Sequence, residues 1–125
     1  MIFVSYILVI VAAFSNAVMD TLIHHHSTSI FKNYKTGFFA DGLEVSWKNK
    51  YVDGDPTKGR TKLFWKINMP VQFTDAWHFS KSFMIVSLIA AIVLYNPLFG
   101  IWIDFFAIGF IWNMTFSFFY NVILR

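Results

Sequence analysis

The segment IFVSYILVIVAAFSNAVMDTLIHHH, residues 2–26, is apolar over most of its length and ends in three consecutive histidines. About 20 residues of α-helix cross the hydrocarbon core of a bilayer. Residues 2–23 therefore predict a first transmembrane helix. A cleaved signal peptide is the alternative, with Ser15 and Ala17 as the small residues before the cut. We favour the helix because the segment lacks the basic region that begins a signal peptide.

Composition supports a membrane protein. Of the 125 residues, 57% are hydrophobic and 14% are charged, whereas a soluble domain has roughly 25% charged residues. The absence of cysteine excludes disulfides, thiolate metal sites and cysteine nucleophiles. The basic residues are spread along one polar segment, so we expect membrane lipids and no nucleic acid as partners.

Two further apolar runs complete a single membrane domain, residues 1–125. The second transmembrane helix is predicted over residues 76–95, with Thr74 or Asp75 as its N-cap. Asn96 and Pro97 predict a tight turn, and Pro97 suits the first turn of a third helix over residues 97–124. The predicted fold is an α-helical membrane protein with three transmembrane helices.

A polar connection, residues 27–74, joins the first two helices. VDGDPTKGRT, residues 52–61, is rich in turn-forming residues. The flanking residues 43–52 and 61–69 predict a short β-hairpin across that turn. We expect the connection to be ordered and packed on the membrane surface because it contains many aromatic residues: Phe38, Phe39, Trp47, Tyr51, Phe64 and Trp65.

The distribution of cations predicts the orientation. Nine of the ten Lys and Arg residues lie in or beside the connection, and Arg125 ends the third helix on the same side. The positive-inside rule therefore places the connection and the C-terminus in the cytoplasm and the N-terminus outside. We expect a multi-pass protein of the inner (cytoplasmic) membrane.

This topology brings ionisable residues together. The first helix ends, and the second begins, at the cytoplasmic face, so one layer should contain Asp20, His24, His25, His26, Asp75 and His78. Ionisable residues within or beside a membrane span are usually functional. Asp20 lies inside the span and needs a partner, for which His24 and Lys81 are the candidates.

The spacings Asp20-x-x-x-His24 and Asp75-x-x-His78 each place a carboxylate and an imidazole on one helical face. We predict His24, His78 and Asp75 as ligands of a divalent metal (zinc, iron or manganese), with His25 and Asp20 as catalytic residues. Such a metal would make hydroxide available near neutral pH. The alternatives are an Asp–His proton network without metal, bis-histidine haem ligation (which we consider the weakest), and structural roles such as helix capping by Asp75.

Further polar residues on the helices and in the connection extend this site. Asn16 shares a face with Asp20, and the third helix contributes Asn113 and Ser117, with Asn121 one turn further along; we predict that they support the layer. Three cations of the connection are predicted to hold the phosphate of a lipid headgroup or lipid-linked substrate: Lys48, Lys50 and Arg60. The alternative is general attraction to anionic lipid.

Two features of the third helix stand apart from this layer. Asp104 lies nearer the outer side, where it could pair with Tyr95 or Asn96 or face an oligomer axis. Phenylalanines cover much of the same helix, and their faces meet either lipid or an oligomer interface: Phe105, Phe106, Phe110, Phe116, Phe118 and Phe119.

The runs SWKNKY (residues 46–51) and FTDAWH (73–78), with NAVMD (16–20) and HHHSTSIF (24–31), resemble a group of small, uncharacterised membrane proteins of bacteria and their viruses. That group has no assigned activity, so the resemblance implies no mechanism. It indicates only that these runs form one unit.

Our sequence-based hypothesis is a membrane protein with an Asp/His site at the cytoplasmic face. It would be a metal-dependent hydrolase of a lipid or lipid-linked phosphate. The alternative is a non-catalytic subunit, anchor or virus-encoded membrane factor that works through helix–helix contacts, in a homo-oligomer or a larger membrane complex.

Overall fold

The computed structural model describes residues 3–64 and 66–125 and contains three long helices. These are α1 (Val4–His24), α2 (Ala76–Val93) and α3 (Ile101–Phe118), which continues as a π-helical turn over Phe119–Ile123. All three are long and apolar enough to cross a membrane, as the sequence predicts. The predicted start of the first helix at Ile2, and the aromatic Trp65, lie outside the described residues.

Helix α1 lies at the centre of the bundle and packs against both α2 and α3. Its packed face is built from small residues, since Ala12, Ala13 and Ala17 are completely buried. Helix α2 contributes buried Ser80 and Ser87 to its own packed face. Small side chains let two helix backbones approach closely, which is how transmembrane helices gain packing energy without a hydrophobic driving force.

The two ends of the bundle are chemically different. Helix α2 runs antiparallel to α1, and α3 runs parallel to α1. The end of α1, the start of α2 and the end of α3 therefore meet. We call this the histidine end. A hydrophobic cluster joins them there, and it consists of Ala17, Val18, Leu22, Phe31, Ala76 and Leu124.

The connection is docked on the histidine end by backbone hydrogen bonds. The N–H of Gly42 donates to the carbonyl of Leu22 (3.2 Å), and the N–H of Ile30 donates to the carbonyl of Leu124 (3.0 Å). The last carbonyls of a helix have no partner within it. The connection therefore provides a hydrogen-bond donor to one carbonyl at the end of α1 and to one carbonyl just after α3.

The β-hairpin differs from the prediction. Two short strands, β1 (Lys62–Leu63) and β2 (Ile67–Asn68), pair antiparallel, so both lie after the predicted turn. The chain forms short 3₁₀ helices at Ser46–Lys50, before the turn, and at Val52–Gly54, within it. The left-handed backbone of Asp53 (φ 55°) ends extended structure there, and across residues 52–61 only one bridge forms, between Tyr51 and Arg60.

The boundaries around the second turn also differ. Helix α2 ends at Val93, before the predicted residue 95, and α3 begins at Ile101. The prediction that Pro97 occupies the first turn of the third helix is therefore wrong. Gly100, with φ 110°, sets the actual start of α3, because this backbone conformation is one that glycine adopts readily.

Candidate functional site

Asp75 and His78 form a close pair at the start of α2. The Nδ1 atom of His78 lies 2.7 Å from Oδ2 of Asp75. The side chain of Asp75 is 1% exposed and that of His78 is 26% exposed. A buried carboxylate thus holds a partly accessible imidazole, an arrangement that fixes the orientation and tautomer of a histidine.

Local sequence explains this geometry. Asp75 is the N-cap of α2, and its Oδ1 accepts a hydrogen bond from the backbone N–H of His78 (2.9 Å), which confirms the cap predicted from sequence. Its Oδ2 accepts a second bond from the Thr74 hydroxyl (3.0 Å). Residues three apart on a helix are neighbours, so capping brings the His78 ring to the same carboxylate.

The indole of Trp77 flanks the pair. Its ring centroid lies 4.9 Å from that of His78, edge to face. The ammonium of Lys81 lies over the same indole, 4.8 Å from the ring centroid, which is within the range of a cation–π contact. The Trp77 indole therefore contacts both the His78 imidazole and the Lys81 ammonium.

The other three histidines have different surroundings. His26 is buried, and its Nε2 lies 3.1 Å from the carbonyl oxygen of Phe39, so it fastens the connection. His25 packs edge to face against Tyr120, with 5.2 Å between ring centroids. His24, in the last turn of α1, is exposed. The helix ends meet in one layer as predicted, but the histidines in it do not share one partner.

Asp20 is half-buried on α1. In residues 3–64 and 66–125 the ion pairs are Lys58–Asp53 and His78–Asp75. The prediction that Asp20 pairs with His24 or Lys81 is therefore wrong, and Lys81 contacts an indole instead.

The predicted metal ligands are His24, His78 and Asp75. Across the described part of the chain, no group of three or more His, Cys, Asp and Glu side chains is arranged to hold a metal ion. The structure brings together Asp75 and His78, and both carboxylate oxygens of Asp75 already accept hydrogen bonds. The atom of this pair that remains for a ligand is Nε2 of His78.

The predicted polar support is arranged along helix surfaces. Asn16 is half-buried, whereas Asn113 and Ser117 are exposed. The Nδ2 of Asn113 donates to the carbonyl of Gly109 (2.8 Å), and that of Asn121 donates to the hydroxyl of Ser117 (3.2 Å). Asn113, Ser117 and Asn121 thus form these hydrogen bonds within their own helix.

The predicted anion-binding residues belong to one structural unit, which we call the aromatic–basic cluster: Trp47, Lys48, Lys50, Tyr51 and Arg60. The Nζ atoms of Lys48 and Lys50 lie 5.8 and 5.7 Å from the centroid of Trp47. Residues three apart in a 3₁₀ helix eclipse one another, which explains why Lys50 lies over Trp47. Arg60 is bridged to Tyr51, and its buried Nε has no hydrogen-bond partner among the described residues.

A second polar centre lies at the opposite end of the bundle. Asp104 is completely buried, and its carboxylate accepts hydrogen bonds from the hydroxyls of Tyr6 (2.8 Å) and Tyr95 (2.9 Å) and from the backbone N–H groups of Leu98 (2.8 Å) and Phe99 (3.1 Å). The predicted contact with Tyr95 is confirmed. Burial, and then this hydrogen bond, raise the pKa of Tyr95, so its hydroxyl stays protonated and donates.

Sequence reasoning did not find Tyr6 as a member of this centre. Two features of the sequence could have indicated this contact: a single aspartate in the third apolar run and a tyrosine in the first. A buried carboxylate must be hydrogen-bonded, and a tyrosine hydroxyl is a donor that an apolar span can carry.

Comparison with known proteins gives no match, since no family model, no curated protein and no solved structure is significantly similar to the chain. The resemblance to small bacterial and viral membrane proteins stays a prediction.

Proposed function

We propose that this chain is a three-span protein of the cytoplasmic membrane that uses Asp75 and His78 as an acid–base pair on a lipid or lipid-linked phosphate ester. One observation carries the proposal. The 2.7 Å contact between His78 Nδ1 and the buried Asp75 carboxylate orients the imidazole and leaves Nε2 as its free nitrogen. A positioned histidine is the commonest general acid–base group in enzymes.

The proposed placement follows from the three apolar helices and the charge distribution. The histidine end and the connection lie at the cytoplasmic face, and the Asp104 end lies outside. The pair then lies at headgroup depth, where the phosphate of a lipid is found. A reporter fused after Arg125 is expected to be accessible only from the cytoplasm.

The proposed reaction is hydrolysis. The Nε2 atom of His78 accepts a proton from water as the water oxygen bonds to phosphorus, and the phosphorus–oxygen ester bond breaks. The leaving oxygen takes up this proton from Nε2, which restores the neutral imidazole, so one ester and one water give one alcohol and one phosphate. Asp75 does not touch the substrate; it holds the ring and stabilises the imidazolium that forms.

The aromatic–basic cluster is proposed to hold the anionic group. Lys48 and Lys50 project from one 3₁₀ turn over Trp47, and the guanidinium of the half-buried Arg60 is a group suited to phosphate. An indole beside two ammonium groups is also typical of contact with the membrane interface.

A divalent metal (zinc, iron or manganese) remains part of the proposal, as does the participation of Asp20, His24 and His25. When bound, a metal of this kind supplies a Lewis acid and an activated water. In that metal-dependent form, His78 would bind the ion through Nε2 in place of acting as the base, Asp75 would be the outer carboxylate that orients the ligand, and the role of base would pass to Asp20 or His25. Stoichiometric metal in purified protein, lost from a His78→Gln variant, is the expected result of elemental analysis.

The test uses purified protein in vesicles that contain phosphatidic acid and an isoprenyl phosphate ester, with release of phosphate and alcohol measured by mass spectrometry. We expect turnover that His78→Gln reduces by at least 10²-fold, the usual contribution of a general base. Asp53→Asn, an exposed carboxylate outside the pair, is the matched control and should leave the rate unchanged. No turnover by the folded wild-type protein with or without zinc, iron or manganese would contradict the proposal.

A second candidate function is a non-catalytic membrane subunit that works through helix contacts. One observation favours it: within Ile101–Phe118, every residue except Asp104 is at least partly exposed. Most of the surface of α3 is therefore available to a partner. Tight association with another membrane protein, unaffected by His78→Gln, is the result expected from this function.

A further inference from the structure

Helix α3 carries a polar stripe on its exposed surface. Asn113, Ser117 and Asn121 follow one another at intervals of four residues, and all three are exposed. Four-residue spacing places side chains on one face of a helix. Asp104, which faces α1 through its bond to Tyr6, lies on the opposite side. The stripe therefore points away from the rest of the bundle.

In a monomer, the position of Asn113 would expose a polar amide to the hydrocarbon of the membrane, which is energetically unfavourable. It lies at the middle of the 23-residue span Ile101–Ile123, where a membrane-spanning helix is surrounded by hydrocarbon. An asparagine amide has two N–H donors and an acceptor oxygen. Its bond to the Gly109 carbonyl uses one donor, so the other donor and the oxygen face the acyl chains, where polar groups are unfavourable.

We infer that this stripe is the contact between two copies of the chain, which pair through their α3 helices. The inference rests on the membrane placement of the proposed function, not on its chemistry. The amide of Asn113 is self-complementary because it offers both a donor and an acceptor, so two copies related by a two-fold axis can exchange hydrogen bonds across the contact.

Gly109 gives the second copy room to approach. It lies one turn before Asn113, and a Cβ built on it would meet nothing within 4 Å. A small residue next to an amide on an exposed transmembrane face lets two backbones come close enough for the amides to bond. The exposed rings of Phe106 and Phe110 can then cover the contact with apolar surface.

The absence of cysteine in the chain allows a direct test. Single cysteines at Phe106 and Ser117, on the stripe face, are treated in native membranes with a short bismaleimide. Cysteines at Phe105 and Phe118 are matched controls, because both residues are exposed but each is turned about 100° from its neighbour on the stripe. We expect covalent dimers from the first pair and few from the second.

A second variant measures the role of the amide. Asn113→Leu in the Ser117→Cys background should reduce the dimer yield at limiting protein density by about tenfold, while Phe105→Leu in the same background should not. Equal cross-linking around the whole helix, a monomer in bilayers, or cross-linking only to a different protein would overturn the inference. Loss of the protein from the membrane fraction would instead contradict the proposed placement, and absent turnover by a cross-linkable dimer would contradict only the proposed chemistry.

Discussion

Tyr6 and Asp104, 98 positions apart in the chain, are joined by a hydrogen bond of 2.8 Å between the phenol hydroxyl and the carboxylate. Because Asp104 also accepts a hydrogen bond from Tyr95, one buried carboxylate connects the first turn of α1, the segment after α2 and the first turn of α3. This contact closes the end of the bundle that lies opposite the Asp75–His78 pair.

Removing the Tyr6 hydroxyl should therefore destabilise the bundle. Tyr6→Phe leaves the Asp104 carboxylate with one hydrogen bond fewer in a buried site, and we expect the free energy of unfolding to fall by about 1–2 kcal/mol. The measurement is an unfolding titration with sodium dodecyl sulfate in mixed micelles. Tyr34→Phe, at an exposed tyrosine, is the control, and equal stability of the two variants would contradict this role.

Asp75 has two roles that variants can separate. Asp75→Asn keeps a good N-cap but removes the carboxylate that holds His78, so the proposed hydrolysis should fall by about 10- to 100-fold with little change in stability. Asp75→Ala removes the cap as well and should cost a further ~1 kcal/mol of stability. Rates and unfolding free energies measured in parallel distinguish the roles, and full activity of Asp75→Asn is the opposing result.

The aromatic–basic cluster should bind anionic lipid more tightly than its charge alone requires. Lys48→Gln with Lys50→Gln should reduce the retention of phosphatidic acid by at least about tenfold, measured by native mass spectrometry. The control is Lys32→Gln with Lys35→Gln, which removes the same charge from exposed positions of the connection. Equal losses from both double variants would show that general attraction accounts for the binding.

The turn at Asp55 should open in acid. Hydrogen bonds from the Thr57 backbone N–H, and then from its hydroxyl, lower the pKa of Asp55 below its ordinary 3.8. Because the folded-state pKa is the lower one, the stabilisation is fully present above about pH 4 and is lost as the pH falls through the lowered value. The Thr57 amide shift in an NMR titration should follow this transition, and Asp55→Asn should abolish it.

Much of the fold follows from sequence because span length and apolarity are local properties. The three helices and the Asp75 cap needed only hydropathy and a capping residue, and the meeting of helix ends at the histidine end needed only the alternating direction of successive spans. The start of α3 did not follow, since the carboxylate of Asp104 holds the N–H groups of Leu98 and Phe99 outside the helix. That contact depends on the folded bundle.

Of the site, the sequence predicted only the contacts between residues a few positions apart on one helix. The Asp75–His78 pair follows from positions three apart on one helix. The partners of His25 and His26 are Tyr120 and the carbonyl of Phe39, and they come from a helix end and a docked loop that no periodicity reveals. We predicted an ionic partner for Asp20 because a fully buried carboxylate is unfavourable without one. Asp20 is only half-buried on α1, so the free-energy cost of leaving it unpaired is lower.

The central claim is that Asp75 holds His78 in a defined orientation with Nε2 free. The most direct measurement is ¹⁵N NMR of histidine-labelled protein in bilayers, with the His78 signals assigned by their loss in His78→Gln. We predict that the neutral form of the His78 ring carries its proton on Nδ1 and has a bare Nε2, and that both signals shift in Asp75→Asn. A proton on Nε2, or signals that Asp75→Asn leaves in place, would contradict the account.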